Sequence, residues 1–391
     1  MTLSAMTLDE HAADVLLTED ERALRDEVRA VVTAEVAPRA AGWDASGEFA
    51  HDSYQALATA GLGGLMFPSA LGGREASTVA YALAMEEIAA ACGATSLIYM
   101  TQMHAGYPIM LAGSEELARR YVPGLCSGEL YGSLAITEPN AGSDVSALRT
   151  SAQRDGEHYV IDGAKTFITT GDRADVIVCF ATVDRAAGRS GITAFAVDGS
   201  TPGLGRGRTL GKMGMHGSST AELFFDGVRV PAAARLGEEG SGWRVVMSSV
   251  VKSRISAAAQ GVGLARGAYE HTLAALRARG GPIPPDAAFT LAGLRTDILA
   301  GRLLLLATAR AVDTDADTGT ADVAMMKLGC TDLGWRTALA CTDVLGADGD
   351  LAELGVERYL RDAKVTQIYD GTNEVQRLLI ARDTDRRGAT T

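Results

Sequence analysis

Apolar residues in the first third of the chain recur at helical spacing. After Thr18 they return every three or four positions, which is the pattern of one buried face of an α-helix. Glu21 follows Thr18 by three residues and completes a capping-box pattern, and Pro38 predicts the end of this first helix. Further apolar segments of the same kind follow. We therefore predict a helical N-terminal domain over residues 1–130.

The pattern changes at about residue 131 to short runs rich in β-branched and aromatic residues. Such runs, bounded by turn residues, predict β-strands. Asp-Gly pairs at 162–163, 198–199 and 226–227 predict turns between them. We therefore predict a middle domain over residues 131–242, either a sandwich or a barrel. The runs that carry this prediction are HYVIDGAKTFIT, ADVIVCFATVD, ITAFAVDG and AELFFDGVRVP.

Long segments rich in Ala and Leu fill the last third of the chain. Four such helices in sequence predict a helical bundle, and we assign residues 243–391 to this C-terminal domain. One Pro/Gly-rich break, at 277–288, is predicted to join two antiparallel helices. The four predicted helices span about 244–279, 287–313, 319–345 and 354–383.

Residues 88–114 contain no Asp, Glu, Lys or Arg. A membrane span needs about 20 predominantly apolar residues, whereas this stretch is interrupted by polar residues, glycines and Pro108. We therefore predict a buried helical hairpin that lines the core or an apolar cavity, and no membrane insertion.

Composition narrows the classes of function. The 391 residues are 47% apolar, and 49 acidic against 36 basic residues give a net charge of -13. This balance argues against nucleic acid as a partner. Five widely spaced cysteines without C-x-x-C favour neither a disulfide framework nor a metal site. The N-terminus lacks the pattern of a secretory signal, so we expect a cytoplasmic location.

Several common catalytic signatures do not occur. The glycine-rich residues 203–213 lack the spacing of a P-loop, and no G-x-G-x-x-G links a strand to a helix. The chain also lacks G-x-S-x-G and H-E-x-x-H. Six scattered histidines are interpreted as structural. A nucleotide cofactor would therefore be held by other means.

Three motifs remain, in a fixed order. The first, AITEPNAGSD at 135–144, is a loop of small residues whose amides and hydroxyls can bind a ring carbonyl or a phosphate. The second is GAKTFITTG at 163–171, and the third is RDAKVTQIYDGTNEVQRLLIAR at 361–382. Together they resemble the acyl-CoA dehydrogenase family. The resemblance extends over nearly the whole chain, from LTEDERALRDEVRAVV to the third motif.

This resemblance implies an α+β multidomain fold with a helical N-terminal domain, a β-barrel-like middle domain and a C-terminal four-helix bundle. It also implies FAD as the cofactor and a homotetramer, or a homodimer, as the assembly. The implied substrate is an acyl thioester, carried by CoA or by an acyl carrier protein. Electrons would leave through an electron-transferring flavoprotein or a similar acceptor.

The resemblance also assigns site residues by position. The aromatic ring of Phe167 would shield the flavin, with Phe where many members have Trp, and the hydroxyl of Thr169 would bond near its reactive nitrogen. The residues implied in FAD binding are Thr137, Gly142, Ser143, Phe167, Ile168, Thr169, Thr372 and Glu374. Those implied in substrate binding are Ser143, Ser253, Arg254 and Gly371.

Desaturation of an acyl thioester requires a base for the α-proton while a hydride leaves the β-carbon. Asp370 stands where the family normally has this base, but as Glu. The missing methylene withdraws the carboxylate by about 1 Å, which can cost roughly a hundredfold in rate. Ser253 stands where an alternative family arrangement has its glutamate, and serine cannot serve as the base. Glu374, one helical turn beyond Asp370, is a weaker candidate.

Other departures from the family leave alternatives open. Val251 replaces an Asp common in the family, and DVLGADG at 343–349 departs from a glycine-rich motif that usually contacts FAD across subunits. Such changes would suit a substrate bound to a carrier protein. A flavin oxidase or hydroxylase of the same fold, in which the reduced flavin reacts with oxygen, is a further alternative. A non-catalytic protein that binds an acyl thioester or flavin is the remaining alternative.

Overall fold

The computed structural model describes residues 11–314 and 319–388. A helical part comes first, a β-sheet part follows, and a second helical part closes the chain, as predicted. The boundaries at 130 and 242 stay predictions. The first helices are α1 (His11–Asp14), α2 (Glu19–Val31), α3 (Ala40–Ser46), α4 (His51–Thr59), α5 (Thr78–Ala91), α6 (Gly93–Ala112) and α7 (Glu115–Ser127).

The first long helix begins as the sequence predicts. The Thr18 hydroxyl accepts a hydrogen bond from the Glu21 amide at 3.2 Å, and the Glu21 carboxylate accepts one from the Thr18 amide at 2.9 Å, so the capping box is confirmed. The predicted end at Pro38 is wrong. The chain continues through a π-turn and a 3₁₀ turn into α3. Pro38 is tolerated because it lies in the first turn of the 3₁₀ segment, where a backbone amide would have no hydrogen-bond partner within the helix.

The predicted buried helices at 88–114 are confirmed. Helices α5 and α6 are separated only by Cys92, whose extended backbone (φ -153°) turns the chain. Nearly every side chain of both helices is buried. In the part of the chain that the structure describes, no helix has the length and apolarity needed to cross a membrane.

Eight strands form one sheet in the order β6-β7-β3-β2-β4-β5-β8, and β1 pairs in parallel with β4. They are β1 (Gly132–Ala135), β2 (Ser151–Asp155), β3 (His158–Thr169), β4 (Val176–Thr182), β5 (Ile192–Asp198), β6 (Leu204–Thr209), β7 (Thr220–Pro231) and β8 (Arg235–Leu236). Strands β3 and β7 form the long central antiparallel pair. This pair ends in the second sequence motif.

Two of the three predicted Asp-Gly turns are wrong. Asp162-Gly163 lies inside β3 and Asp226-Gly227 lies inside β7, where the register between the two strands shifts. The Gly227 amide donates to the Asp162 carboxylate at 2.7 Å. The two Asp-Gly pairs therefore lie opposite each other in the antiparallel pairing of β3 with β7, where each interrupts the regular register. Glycine tolerates the bulged backbone at such positions. The third pair, at 198–199, does end a strand.

The C-terminal helices are α8 (Gly242–Ala278), α9 (Pro285–Asp313), α10 (Thr320–Leu345), α11 (Val356–Thr366) and α12 (Asn373–Gly388). The single helix predicted at 354–383 is wrong, because residues 367–372 interrupt it. Asp370 (φ 55°) and Gly371 (φ 87°) adopt left-handed backbone there, which an α-helix cannot contain. This break lies in the third sequence motif.

A network of buried charges joins the two helical parts. Arg266 of α8 binds Glu87 of α5 at 2.8 Å, and Arg29 of α2 binds the same carboxylate at 2.8 Å. Arg302 of α9 lies 3.1 Å from Glu86. Because buried charges are tolerated only when they are paired, these contacts fix the packing of α5 against the bundle.

Candidate active site

A buried ion pair holds the first motif against the sheet. Lys165 of β3 binds the Glu138 carboxylate at 2.7 Å and the Ile136 carbonyl at 3.0 Å. Glu138 also accepts from the amides of Arg149 and Thr150. Charge-assisted hydrogen bonds of this kind are strong when buried. They fix the shape of the loop that follows Ile136.

The structure brings this loop beside the second motif. The Thr166 amide donates to the Thr137 carbonyl at 2.9 Å, so Thr137 lies next to the end of β3. Gly142 and Ser143 are exposed on the far side of the loop. A Cβ added to Gly142 would meet nothing within 4 Å. The backbone there is open to a ligand.

Phe167 has an unusual environment for a large aromatic side chain. Its backbone is left-handed (φ 57°) and its side chain is 67% exposed. Left-handed backbone is rare in a bulky residue and marks functional positions. Ile168 points the opposite way, into the core of the sheet at 2% exposure, so a cofactor could meet only its backbone. Thr169 is half-buried.

The third motif is clamped to α10. Asn373, the first residue of α12, accepts from Lys327 at 2.9 Å and donates to Asp332 at 2.7 Å. Gln367, before the break, donates to the same Asp332 oxygen at 2.7 Å. Both ends of the loop that carries Asp370 are thereby bound to one helix. Such restraint keeps a catalytic group in place.

Asp370 lies at the centre of this loop. Its Oδ2 is inaccessible to solvent and has no hydrogen-bond partner among the described residues. Its carbonyl lies 3.5 Å from Arg254 Nε. The next residue, Gly371, has a carbonyl that accepts from Gln376 at 2.7 Å. A buried carboxylate oxygen without a partner is costly, and in a pocket it indicates a functional site.

Burial raises the pKa of Asp370, and surrounding groups oppose this rise. The charges that lower its pKa are, in decreasing order of effect, His104 and Lys327, and then Arg254, together with a hydrogen bond from Ser253. The Lys327 side chain is fully buried, and burial lowers its pKa to about 8 although Asp370 opposes the shift. The Asp370 carboxylate is therefore desolvated and interacts electrostatically with Lys327 and Arg254.

The remaining predicted residues divide between this pocket and the surface. Ser253 and Arg254 of α8 are buried at 4% and 5% exposure and lie beside Asp370. The Thr372 hydroxyl accepts from the Val375 amide at 3.3 Å and so caps α12. Glu374 is exposed on the first turn of α12, 3.6 Å from Arg377. This exposure argues against Glu374 as the base.

Two clusters thus emerge: Thr137, Phe167 and Thr169 on the sheet, and Asp370 with Ser253 and Arg254 among the helices. A cavity of about 780 Å³ lies between the N-terminal helices and the sheet and is lined by none of the predicted site residues. Its lining includes Trp43, Phe49, Arg173 and Lys212.

Sequence reasoning missed three groups. Lys165 and Glu138 lie inside the first two motifs, but their opposite charges were not interpreted as an ion pair. Lys327 stands alone among apolar residues in ADVAMMKLGC, and a lone charge in an apolar helix predicts a buried partner. His104 was interpreted as structural together with the other histidines.

Comparison with known proteins covers nearly the whole chain. Family models match residues 18–129 (acyl-CoA dehydrogenase, N-terminal domain), 133–228 (middle domain) and 240–384 (C-terminal domain). Cyclohex-1-ene-1-carbonyl-CoA dehydrogenase of Geobacter metallireducens is 40% identical over 373 residues, which cover 94% of this chain and 98% of the relative.

Solved structures match over a similar share of the chain. Butyryl-CoA dehydrogenase from Megasphaera elsdenii superposes with a TM-score of 0.90 at 32% identity, covering 94% of this chain and 98% of that one. A glutaryl-CoA dehydrogenase from Mycobacterium smegmatis in complex with FADH2 has a TM-score of 0.89 at 28% identity, with coverage of 96% and 97%.

Proposed function

Because the chain belongs to the acyl-CoA dehydrogenase family, we propose that Asp370 removes the α-proton of an acyl-CoA thioester that the enzyme desaturates between its α and β carbons. The protein is an FAD-dependent oxidoreductase acting on CH–CH bonds. The observation that carries the proposal is the buried, unpartnered Oδ2 of Asp370 beside Arg254 and Lys327. The comparisons do not favour the carrier-protein, oxidase, hydroxylase or non-catalytic alternatives.

The residues of the sheet cluster fit FAD. The exposed ring of Phe167 is an apolar surface for a planar ring system. The hydroxyls of Thr137, Thr169 and Ser143 and the open backbone at Gly142 are polar groups of the kind that bind ring carbonyls and phosphate oxygens. When bound, FAD would supply the acceptor for the β-hydride. An electron-transferring flavoprotein, or a similar acceptor, is proposed to remove the electrons.

The cluster of Asp370, Ser253 and Arg254 is proposed to remove the α-proton of the substrate. Asp370 accepts it on its buried carboxylate, and a dry pocket strengthens this base because its charged form is poorly solvated. Lys327 and Arg254 lower the pKa of Asp370 against the effect of burial and so favour its ionised form. They also provide positive charge where the thioester becomes electron-rich as its proton leaves. Ser253 and Gly371 are proposed to contact the substrate.

Exposed apolar side chains on the C-terminal helices support the proposal of a homotetramer or homodimer. Large apolar side chains left exposed are candidates for burial at an interface, and light scattering of the purified protein would give the assembly size. The residues are Phe289 and Leu304 on α9, Met325 and Leu339 on α10 and Leu378 on α12.

The experiment is anaerobic mixing of the FAD-loaded protein with a panel of CoA thioesters while the flavin absorbance is followed. The panel contains straight-chain, branched and alicyclic acyl groups that are saturated at the α and β carbons, including butyryl-CoA and cyclohexane-1-carbonyl-CoA. We expect at least one thioester to bleach the flavin, and Asp370→Asn to abolish this bleaching. Asp20→Asn, an exposed carboxylate on α2, is the matched control.

Two outcomes would overturn the proposal. If no CoA thioester bleaches the fully loaded native protein, acyl-CoA desaturation is wrong. If Asp370→Asn bleaches at the native rate, the enzyme uses another base.

A further inference from the structure

Gln260 lies on the side of α8 that meets the loop of Asp370, and its side-chain amide is bonded at both polar atoms. The side chain is fully buried. Its Oε1 accepts a hydrogen bond from the Tyr369 hydroxyl, and its Nε2 donates to Ser96 Oγ of α6 at 2.7 Å. One uncharged side chain thus connects α6, α8 and the residue that directly precedes Asp370.

The direction of the hydrogen bonds in this chain follows from its far end. The Ser96 hydroxyl donates to the Gly93 carbonyl at 2.7 Å, so its oxygen accepts from the Gln260 amide. Gln260 Nε2 also lies 3.5 Å from the same carbonyl, a position that suits an amide N–H and not an oxygen. The Gln260 oxygen therefore faces Tyr369. Burial raises the pKa of the Tyr369 hydroxyl, so this hydroxyl keeps its proton and is the donor.

The face of α8 that carries Gln260 also carries a residue proposed to contact the substrate. Ser253, Ser256 and Gln260 follow each other at spacings of three and four residues, which places them on one face of the helix. All three are buried at 4% exposure or less. Beside Ser253, Arg254 Nε lies 3.5 Å from the Asp370 carbonyl. The helix proposed to contact the substrate therefore also holds the loop that carries the proposed base.

A restraint on Tyr369 acts directly on Asp370, because the two residues share a peptide bond. Asp370 has left-handed backbone (φ 55°), a conformation that residues other than glycine rarely adopt without support from the surrounding structure. Gln367 and Asn373 bind the two ends of the loop to α10, but neither of these bonds involves the residues next to Asp370. The hydrogen bond with Gln260 restrains the residue that directly precedes the proposed base.

We infer that Gln260 is a positioning residue: by holding the Tyr369 hydroxyl, it sets the distance between the Asp370 carboxylate and the substrate bound along α8. This inference rests on the proposed role of Asp370 as the base. Displacement of a reacting group by about 1 Å can cost roughly a hundredfold in rate. Loss of the contact between Gln260 and Tyr369 should therefore slow proton removal while the affinity for the thioester is retained.

The test is anaerobic reduction of the FAD-loaded protein by the CoA thioester of the panel that bleaches the flavin fastest, followed by stopped-flow absorbance at increasing thioester concentrations. The limiting rate reports the chemical step, and the concentration dependence gives the apparent dissociation constant of the thioester. We compare the native protein with Gln260→Leu, Tyr369→Phe, the double variant and the control Tyr54→Phe. Tyr54 of α4 is a fully buried tyrosine whose hydroxyl donates to the Leu125 carbonyl at 3.1 Å.

We expect Gln260→Leu and Tyr369→Phe each to lower the limiting rate by roughly tenfold to a hundredfold, with the dissociation constant and the FAD content close to native. Because both changes remove the same hydrogen bond, the double variant should be about as slow as the slower single variant and should not show the product of the two losses. Tyr54→Phe should lower the thermal unfolding temperature but keep the native limiting rate. If Gln260→Leu folds poorly, Tyr369→Phe, which removes one oxygen atom, decides the comparison with Tyr54→Phe.

Three outcomes would overturn the inference. A native limiting rate and a native dissociation constant in Tyr369→Phe would show that the contact does not position the base. A raised dissociation constant at the native limiting rate would assign Tyr369 to substrate binding. Losses that multiply in the double variant would show that Gln260 and Tyr369 act separately. The proposed function fails in a different way, because the native protein would then not be bleached or Asp370→Asn would keep the native rate, whatever the Gln260 variants do.

Discussion

The ammonium group of Lys327 lies 2.9 Å from the side-chain oxygen of Asn373. Lys327 belongs to α10 and Asn373 begins α12, three residues after Asp370. One buried cation thus holds the loop in place and also lowers the pKa of the carboxylate that the loop carries. The geometry and the electrostatics of the proposed base depend on the same side chain.

Replacing this cation should weaken the base. We expect Lys327→Met to raise the pKa of Asp370, because burial then acts with less opposition, and to move the acid limb of kcat/KM to higher pH. Lys327→Arg keeps the charge and should move the limb less. The pH profile of flavin reduction measures both variants, and an unmoved limb in Lys327→Met would contradict the electrostatic role.

Asp370 should titrate above the ordinary range of aspartate, because burial raises its pKa. Activity therefore falls as the pH drops through this raised pKa and the carboxylate becomes protonated. We expect Asp370→Glu, which advances the carboxylate by about 1 Å in a pocket shaped for Asp, to lose up to about a hundredfold in flavin reduction. A faster Asp370→Glu variant would show that the pocket has kept room for glutamate.

The Lys165–Glu138 pair should control retention of FAD. Lys165→Met leaves a buried carboxylate without its cation, which typically costs about 3–5 kcal/mol, and it releases the loop that carries Thr137. We expect lower thermal stability and less FAD per subunit, measured by absorbance after denaturation. The double variant Lys165→Met with Glu138→Gln removes the unpaired charge and should recover part of the stability.

Gly371 should tolerate no side chain. Its φ is 87°, and a Cβ would lie 2.8 Å from Gln376 Nε2, the group that bonds with the Gly371 carbonyl. We expect Gly371→Ala to cost about 1 kcal/mol or more and to lower kcat by displacing Asp370. Gly293→Ala on α9, where a Cβ meets nothing within 4 Å, should stabilise the protein slightly. Thermal unfolding measures the stability of the Gly371→Ala and Gly293→Ala variants, and flavin-reduction kinetics measure their activity.

Glu270 should destabilise the protein at alkaline pH. Burial raises its pKa to about 7, against about 4.3 in an unfolded chain. As the pH rises between these values the unfolded state loses its proton first, so the free energy of unfolding falls and then stays low above pH 7. Glu270→Gln stays neutral and should be more stable than native by roughly 3 kcal/mol at pH 8.

Glu87→Gln is the opposite control, because Arg266 and Arg29 lower the pKa of Glu87 against the effect of burial. Its contribution to stability is present above the unfolded pKa and is lost as the pH falls. We expect Glu87→Gln to be less stable than native at pH 8, and urea unfolding at pH 5 and pH 8 measures both variants. Equal effects of the two substitutions would contradict these assignments.

Features that depend on residues close together in the chain were predicted correctly from the sequence. The capping box of Thr18 and Glu21 and the buried helices at 88–114 are confirmed, because each depends on neighbours within a few residues or on the absence of charge. The order of helical, strand and helical parts is confirmed for the same reason: apolar spacing differs between helix and strand. Three motifs in order also indicated the family and, through it, FAD.

Tertiary structure decided what depends on distant partners. Asp162-Gly163 resembles a turn, but pairing with β7 makes it an irregularity within a strand. The periodicity of 354–383 predicts one helix, yet contacts of Gln367 and Asn373 with Asp332 hold it open at Asp370.

The sequence by itself thus determined the order of the helical and strand-rich parts and, through the family resemblance, which residue could act as the base. Only the packing of α6, α8 and α10 around the loop decided the surroundings of that base, because His104, Arg254 and Lys327 approach Asp370 from helices far apart in the chain. Electrostatic interactions depend on distance in space and on burial. No local pattern along the sequence records either quantity.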